Sequence, residues 1–166
     1  MNTQASFIIT PAQRHHTPAI HAMIRELAQF EKLEHLVKGT IADLEKELFG
    51  ERPITEAITA LMDDTPVAFA LYFHNYSTFL GRKGLYLEDV YVKPAFRRRG
   101  IGRALLIHLA RIAVERGCGR FEWSVLDWNA PAIAFYEGLG ATVMPEWRIV
   151  RVTGEALSAL ADKKGG

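Results

Sequence analysis

The stretch that most constrains this chain is Leu87-Glu88-Asp89-Val90-Tyr91-Val92-Lys93-Pro94-Ala95-Phe96-Arg97-Arg98-Arg99-Gly100-Ile101-Gly102-Arg103-Ala104-Leu105. It reads as a β-strand, a basic turn with two glycines, and the start of a long amphipathic helix. A helix N-terminus presents unpaired backbone N–H groups and a positive partial charge, which suits a bound phosphate. Gly100 and Gly102 let a diphosphate approach the backbone closely. Arg97, Arg98 and Arg99 add full charges and forked donors. The stretch therefore implies a phosphate-bearing ligand where strand hands over to helix. A dinucleotide fingerprint would need a third glycine at Leu105, and no P-loop run G-x-x-x-x-G-K-[ST] exists. On this motif alone, an ordinary solvated basic turn stays open.

The 166 residues fit a single domain over 1–166, with an ordered core expected over about 7–160. Nearly half the residues are hydrophobic and the formal charge is +1, a balance that argues against broad nucleic-acid binding. No apolar run is long enough to span a membrane, and Met1-Asn2-Thr3-Gln4 does not open a signal peptide. Cys118 is the single cysteine and has no internal disulfide partner. A cytoplasmic location is expected.

The periodicities place the other elements. Phe7-Ile8-Ile9 reads as a short strand stopped by Thr10-Pro11. Thr17-Pro18 reads as a cap followed by proline at the first helical position, with Ile20, Met23, Ile24, Leu27, Ala28 and Phe30 as the apolar stripe. Thr40 and Asp43 predict a second helix over roughly 41–49, ended by Gly50. Strands are predicted at 56–62 and 66–76 around the turn Asp63-Asp64-Thr65, and at 85–92. On a simple pleat Glu88, Val90 and Val92 share one face and Leu87, Asp89 and Tyr91 the other, unless a bulge shifts the parity. A helix over about 100–116 buries Ile101, Leu105, Leu109 and Ile112 and stops at Gly117. A strand over 121–126, a helix over about 130–138 capped by Asn129, a strand pair around 141–152 and a short helix over about 154–162 complete the pattern, with a frayed tail at Lys163–Gly166. The fold class is α/β.

A second constellation is Asp127-Trp128-Asn129-Ala130-Pro131-Ala132-Ile133-Ala134-Phe135-Tyr136. Asn129 and Tyr136 are seven residues apart, close to two helical turns, so an amide and a phenol share a helix face with Ile133. They could line a ligand cleft. They could equally be a helix cap and a core aromatic.

Together, Arg97-Arg98-Arg99-Gly100-Ile101-Gly102, Asn129, Phe135-Tyr136 and Gly140-Ala141 resemble the GNAT superfamily of acyl-CoA-dependent N-acetyltransferases. Tyr86-Leu87-Glu88-Asp89, Trp128-Asn129-x-Pro131, Trp147-Arg148 and the early run Ile24-Arg25-Glu26-Leu27-Ala28-Gln29-Phe30-Glu31 are similar to the diamine acetyltransferases, those of spermidine/spermine and thialysine. The resemblance implies a mixed sheet flanked by helices and acetyl-CoA as cosubstrate. It implies that backbone amides of Arg98, Arg99, Gly100, Ile101, Gly102 and Arg103, beside Arg97, hold the CoA diphosphate. Val90 and Val92 would pair with the pantetheine arm like an added strand. Asn129 would hydrogen-bond the cosubstrate, and Tyr136 would sit near the thioester sulfur. Glu88 would face the acceptor amine, with Glu26, Glu31 and Asp89 as further acceptor contacts. The loop over 76–82 departs from the family pattern, with Phe79 where tryptophan is common. A homodimer is implied too, with Ile149, Val150 and Val152 apolar enough for an interface.

Acetyl transfer needs a neutral amine, whose free pKa is near ~10. Glu88 is the expected proton acceptor, directly or through water, with Asp89 in reserve, and Tyr136 the expected donor to the departing thiolate. A covalent route through Cys118 is disfavoured by its place at a helix C-terminus, where the dipole opposes a thiolate. His15, His16 and His21 match no metal-ligand spacing and are expected as exposed turn and helix residues, so no metal is assigned. For Glu26, Glu31 and Glu34 a solvated helix face is the competing reading. The leading expectation is acetyl transfer to a small diamine, polyamine or basic amino acid. Acetylation of a peptide or protein amine is the second, and a non-catalytic acyl-CoA-sensing module the third.

Overall fold

The computed structural model describes residues 6–163. These fall into two compact units divided after Ser124. In the first, β1 (Ile8–Pro11), β2 (Glu56–Met62), β3 (Thr65–Ser77), β4 (Arg82–Val92) and β5 (Phe121–Trp123) form one sheet in the order β1-β2-β3-β4-β5. The first four strands are antiparallel and β5 lies parallel to β4. α1 (Thr17–Phe30) and α2 (Ile41–Phe49) join β1 to β2. α3 (Ile101–Glu115) makes the crossover that the parallel pair requires.

Each face of the sheet has its own core. On one, Ile20 and Met23 of α1 and Leu48 of α2 pack with Phe69, Leu71 and Tyr91. On the other lies α3, burying Ile101, Leu105, Leu106, Leu109 and Ala113. Full burial of one such leucine contributes about 1.5–3 kcal/mol. Arg116 at the end of α3 ties the helix to this face: its guanidinium forks onto Glu56, with nitrogen–oxygen distances of 2.5 and 2.8 Å, and lies 6.0 Å from the Tyr72 ring centre.

Local chemistry explains the boundaries. The β2–β3 hairpin turns on two residues, Asp63 (φ 47°) and Asp64 (φ 59°), the left-handed pair of a type I′ turn. Thr40 and Asp43 close the expected capping box of α2, with Asp43 N–H donating to Thr40 Oγ1 at 3.1 Å and Thr40 N–H to Asp43 Oδ2 at 2.8 Å. Gly117 (φ 67°) ends α3 in a Schellman motif, in which Cys118 N–H reaches the Ala113 carbonyl at 2.9 Å.

Several expectations need correction. Thr17 is not a cap but the first residue of α1. A 3₁₀ turn at Arg14–His16 precedes it, which moves the extended capping position back to Gln13, and Thr17 Oγ1 instead donates to the Arg14 carbonyl at 2.7 Å. His16 is buried rather than exposed, its Nδ1 accepting the Gln13 N–H at 3.1 Å, and burial holds its pKa below the usual histidine range, helped by His15. β5 stops at Trp123, three residues before the expected end.

The second unit carries α4 (Ala130–Gly138) and α5 (Glu155–Ala161), both as expected. The strand pair expected around 141–152 is not formed. Pro145 breaks the run and lacks an N–H, and the chain turns at Pro145–Glu146, where Trp147 N–H meets the Met144 carbonyl at 3.4 Å.

Candidate active site

The turn between β4 and α3 has the backbone of an anion cradle. Gly100 precedes the helix at φ 79° and Arg98 also adopts a left-handed conformation, φ 61°. Ala104 N–H is the first to bond back, to the Gly100 carbonyl at 2.9 Å, so the N–H groups of Ile101, Gly102 and Arg103 have no intrahelical partner. A Cβ on Gly102 would meet only Val92 Cγ2, at an ordinary 3.7 Å. The protein's own packing does not demand glycine there, and a helical glycine costs about 1 kcal/mol against alanine. Of the three arginines, Arg99 lies over the Phe96 ring at 5.5 Å and Arg97 over the Tyr91 ring at 5.4 Å.

The strand leading into this turn has an open edge. β5 pairs only with Leu85–Leu87, so among the described residues no strand lies beside β4 from Glu88 onward on that edge. Lys93 N–H bonds to the Val67 carbonyl at 3.0 Å, which makes Val92–Ala68 and Val90–Ala70 the wide pairs of the ladder. Backbone groups of Val90 and Val92 therefore point away from β3, toward the open edge. One is already used: the Val92 carbonyl accepts from Arg97 Nε at 2.9 Å.

Between Leu87 and Asp89 the ladder carries a β-bulge. Tyr72 faces Leu87 and Leu71 faces Asp89, leaving Glu88 with no opposite residue. This corrects the simple pleat. Leu87 shares the α3 face with Val90 and Val92, while Asp89 and Tyr91 turn to the α1 face; Glu88 is exposed at the step. The cause is the partner strand, whose register forces one extra residue into β4.

The bulge brings carboxylates together on the α1 side. Asp89 is pushed up to about 6, chiefly by burial and further by the charges of Glu88 and Glu31. Burial also raises Glu31. Glu26 of α1 accepts a 3.0 Å hydrogen bond from the Tyr91 hydroxyl. Glu34 is held by Arg25 and Gln29, each at 3.0 Å, so its charge is answered within the helix region. Glu88, Asp89 and Glu31 thus feel one another's charge, and Glu26 meets the same strand through Tyr91. Phe79, in the loop before β4, is fully exposed.

This crowding has a measurable cost. A carboxyl raised from 3.8 to about 6 in the folded protein favours folding most below pH 4 and loses that advantage as pH rises toward 6. Asp89→Asn removes the titration and should stabilise the protein by roughly 3 kcal/mol above pH 7 relative to its effect at pH 4. Thermal melts of both proteins across pH 4–8 check this; parallel curves would contradict it.

In the second unit, Asn129 caps α4, its side-chain oxygen accepting from Ala132 N–H at 3.4 Å, and its amide NH₂ is the end left to donate. Tyr136 lies two turns along the same helix, with Phe135 5.5 Å away between ring centres. Cys118, half-buried after α3, carries a free thiol. Sequence reasoning missed the link from Tyr91 to Glu26, because the unbulged pleat gave no reason to set Tyr91 against α1.

The family described as "Acetyltransferase (GNAT) family" matches residues 21–141. The thialysine N-epsilon-acetyltransferase of Sus scrofa is 39% identical, over 96% of this chain and 99% of its own. The L-ornithine N5-acetyltransferase of Arabidopsis thaliana is 34% identical, over 86% of this chain and 82% of its own. Among solved structures, an integron cassette protein of V. cholerae superposes with a TM-score of 0.80 at 28% identity, covering 95% of this chain and 99% of that one. The glycine-bearing turn before α3, the open strand edge and these likenesses agree: the chain belongs to the acetyltransferase (GNAT) family, has its fold and is an acetyltransferase.

Proposed function

We propose that the enzyme transfers the acetyl group of acetyl-CoA to a primary amine of a small diamine, polyamine or basic amino acid, directly within a ternary complex. The observation that carries this reading is the carboxylate group of Glu88, Asp89 and Glu31 at the bulge of β4, with Glu26 held by Tyr91 of the same strand. Such a group suits an acceptor with two cationic ends, one to be held and one to be deprotonated. The thialysine and ornithine acetyltransferases among the relatives support the same acceptor class.

Acetyl-CoA supplies the activated thioester when bound. Backbone N–H groups over 98–103 and the charges of Arg97, Arg98, Arg99 and Arg103 hold its diphosphate. Backbone groups of Val90 and Val92 pair with the pantetheine arm, and one of their N–H groups polarises the thioester carbonyl. Asn129 donates its amide N–H to the cosubstrate. Glu88, exposed on the bulge, takes the ammonium proton through water; Asp89, whose raised pKa lies nearer to neutrality, is the second candidate. Tyr136 gives its phenolic proton to the departing thiolate. The chain works as one catalytic domain over 1–166 in the cytoplasm, without a metal, and the family resemblance supports a homodimer. Among the described residues no helix is long and apolar enough to cross a membrane.

Initial rates of CoA release, varied in both acetyl-CoA and diaminobutane, test the reading. Saturation in both substrates with intersecting double-reciprocal lines is expected. Parallel lines with an acetylated Cys118 would contradict direct transfer, and tight acetyl-CoA binding without turnover would favour a sensing module.

A further inference from the structure

We infer that Tyr91 and Arg97 are positioning residues that fix the Glu26 carboxylate as the receptor for the acceptor's second cationic group. The inference rests on the proposed diamine-type acceptor.

Three contacts run in series. Arg97 Nε donates to the Val92 carbonyl at 2.9 Å, anchoring the arginine to the last residue of β4. Its guanidinium then lies over the Tyr91 ring, 5.4 Å from the centre. The Tyr91 hydroxyl donates to Glu26 Oε2 at 3.0 Å. The tyrosine itself cannot wander, since the residue is 7% exposed within the core that includes Ile20, Met23 and Phe69.

What distinguishes Glu26 is the kind of partner it has. Glu34 and Glu56 are each matched by a guanidinium, Arg25 and Arg116, so little net charge remains to attract a ligand. Tyr91 is a neutral donor. It holds one carboxylate oxygen while leaving the negative charge intact and the other oxygen able to accept. Among the described residues no cation lies within salt-bridge distance of Glu26. Burial and the neighbouring Glu26 charge both raise the Tyr91 pKa, so the phenol stays a donor at neutral pH. The Arg97 cation over the ring acts the other way, lowering that pKa and making the hydroxyl a stronger donor. Arg97 thereby serves the acceptor side from within the cosubstrate turn.

The test compares diaminobutane with butylamine as acceptors, which differ in the second ammonium. Tyr91→Phe keeps the ring and its stacking and removes only the hydroxyl. A hydrogen bond to a charged group is worth about tenfold or more in an equilibrium. The variant should raise KM for diaminobutane about tenfold, leave its kcat and the KM for acetyl-CoA within about twofold, and lower the preference for diaminobutane over butylamine about tenfold. In a Glu26→Gln background the same substitution should add nothing further. Arg97→Lys should also lower the preference, by a smaller factor. An unchanged preference in Tyr91→Phe, with wild-type preference intact, overturns the inference alone. A wild type that treats the two amines alike overturns the acceptor reading, and this inference falls with it.

Discussion

Tyr136→Phe should lower kcat for amine acetylation by about 10²-fold and leave the affinity for acetyl-CoA within about twofold. The expectation follows from where the proton must go. Collapse of the addition product expels CoA as a thiolate, and a phenol placed to protonate the sulfur makes that departure easier. Tyr136 sits two turns beyond the α4 cap, on a helix whose start is fixed by the Asn129 bond to Ala132 N–H. Phenylalanine retains the ring and its neighbour Phe135, 5.5 Å away, so helix packing should survive. Steady-state rates together with calorimetric titration of acetyl-CoA separate the two quantities. An unchanged kcat would remove Tyr136 from the proposed chemistry.

The second large effect is expected at the bulge. Glu88→Gln should lower kcat/KM for a small diamine by about 10²-fold, because the glutamine side chain cannot take the ammonium proton. Glu88 has no opposite residue in the ladder and is exposed, so the substitution should cost little stability. Asp89→Asn is the informative comparison. If Glu88 is the acceptor of the proton, the Asp89 variant loses less; if Asp89 loses more, the base is the buried carboxyl raised to about 6, and the acid limb of the kcat/KM profile should disappear with it. Equal rates for wild type and Glu88→Gln would exclude Glu88 as the base.

The parts of this molecule that were legible in the sequence are those determined over a few residues. The turn before α3 is written in Gly100, because a left-handed cap favours glycine, and in Gly102 and the arginines beside it. The Thr40–Asp43 box and the Gly117 stop are equally local. What was not legible depends on a distant partner. The bulge at Glu88 lies in the register against Leu71 and Tyr72, and it puts Leu87 on the opposite face from Asp89 and Tyr91. Periodicity alone does not say which helix covers which face of β4, so only the family resemblance grouped the α1 and β4 carboxylates. The same dependence on a distant partner holds for His16, buried against Thr59, whose Oγ1 lies 3.4 Å from its Nδ1. Around 141–152 the apolar alternation predicted strands, and Pro145 with its turn prevailed.

The central claim is the acceptor. The most direct measurement incubates the purified enzyme with acetyl-CoA and an equimolar mixture of diaminobutane, spermidine, thialysine, ornithine, butylamine and a lysine-containing peptide, and identifies acetylated products by mass spectrometry at early times. The proposed reading predicts that one or more of the small dicationic amines is acetylated well before butylamine or the peptide. Acetylation of the peptide alone, or of butylamine as fast as the dicationic amines, would contradict it.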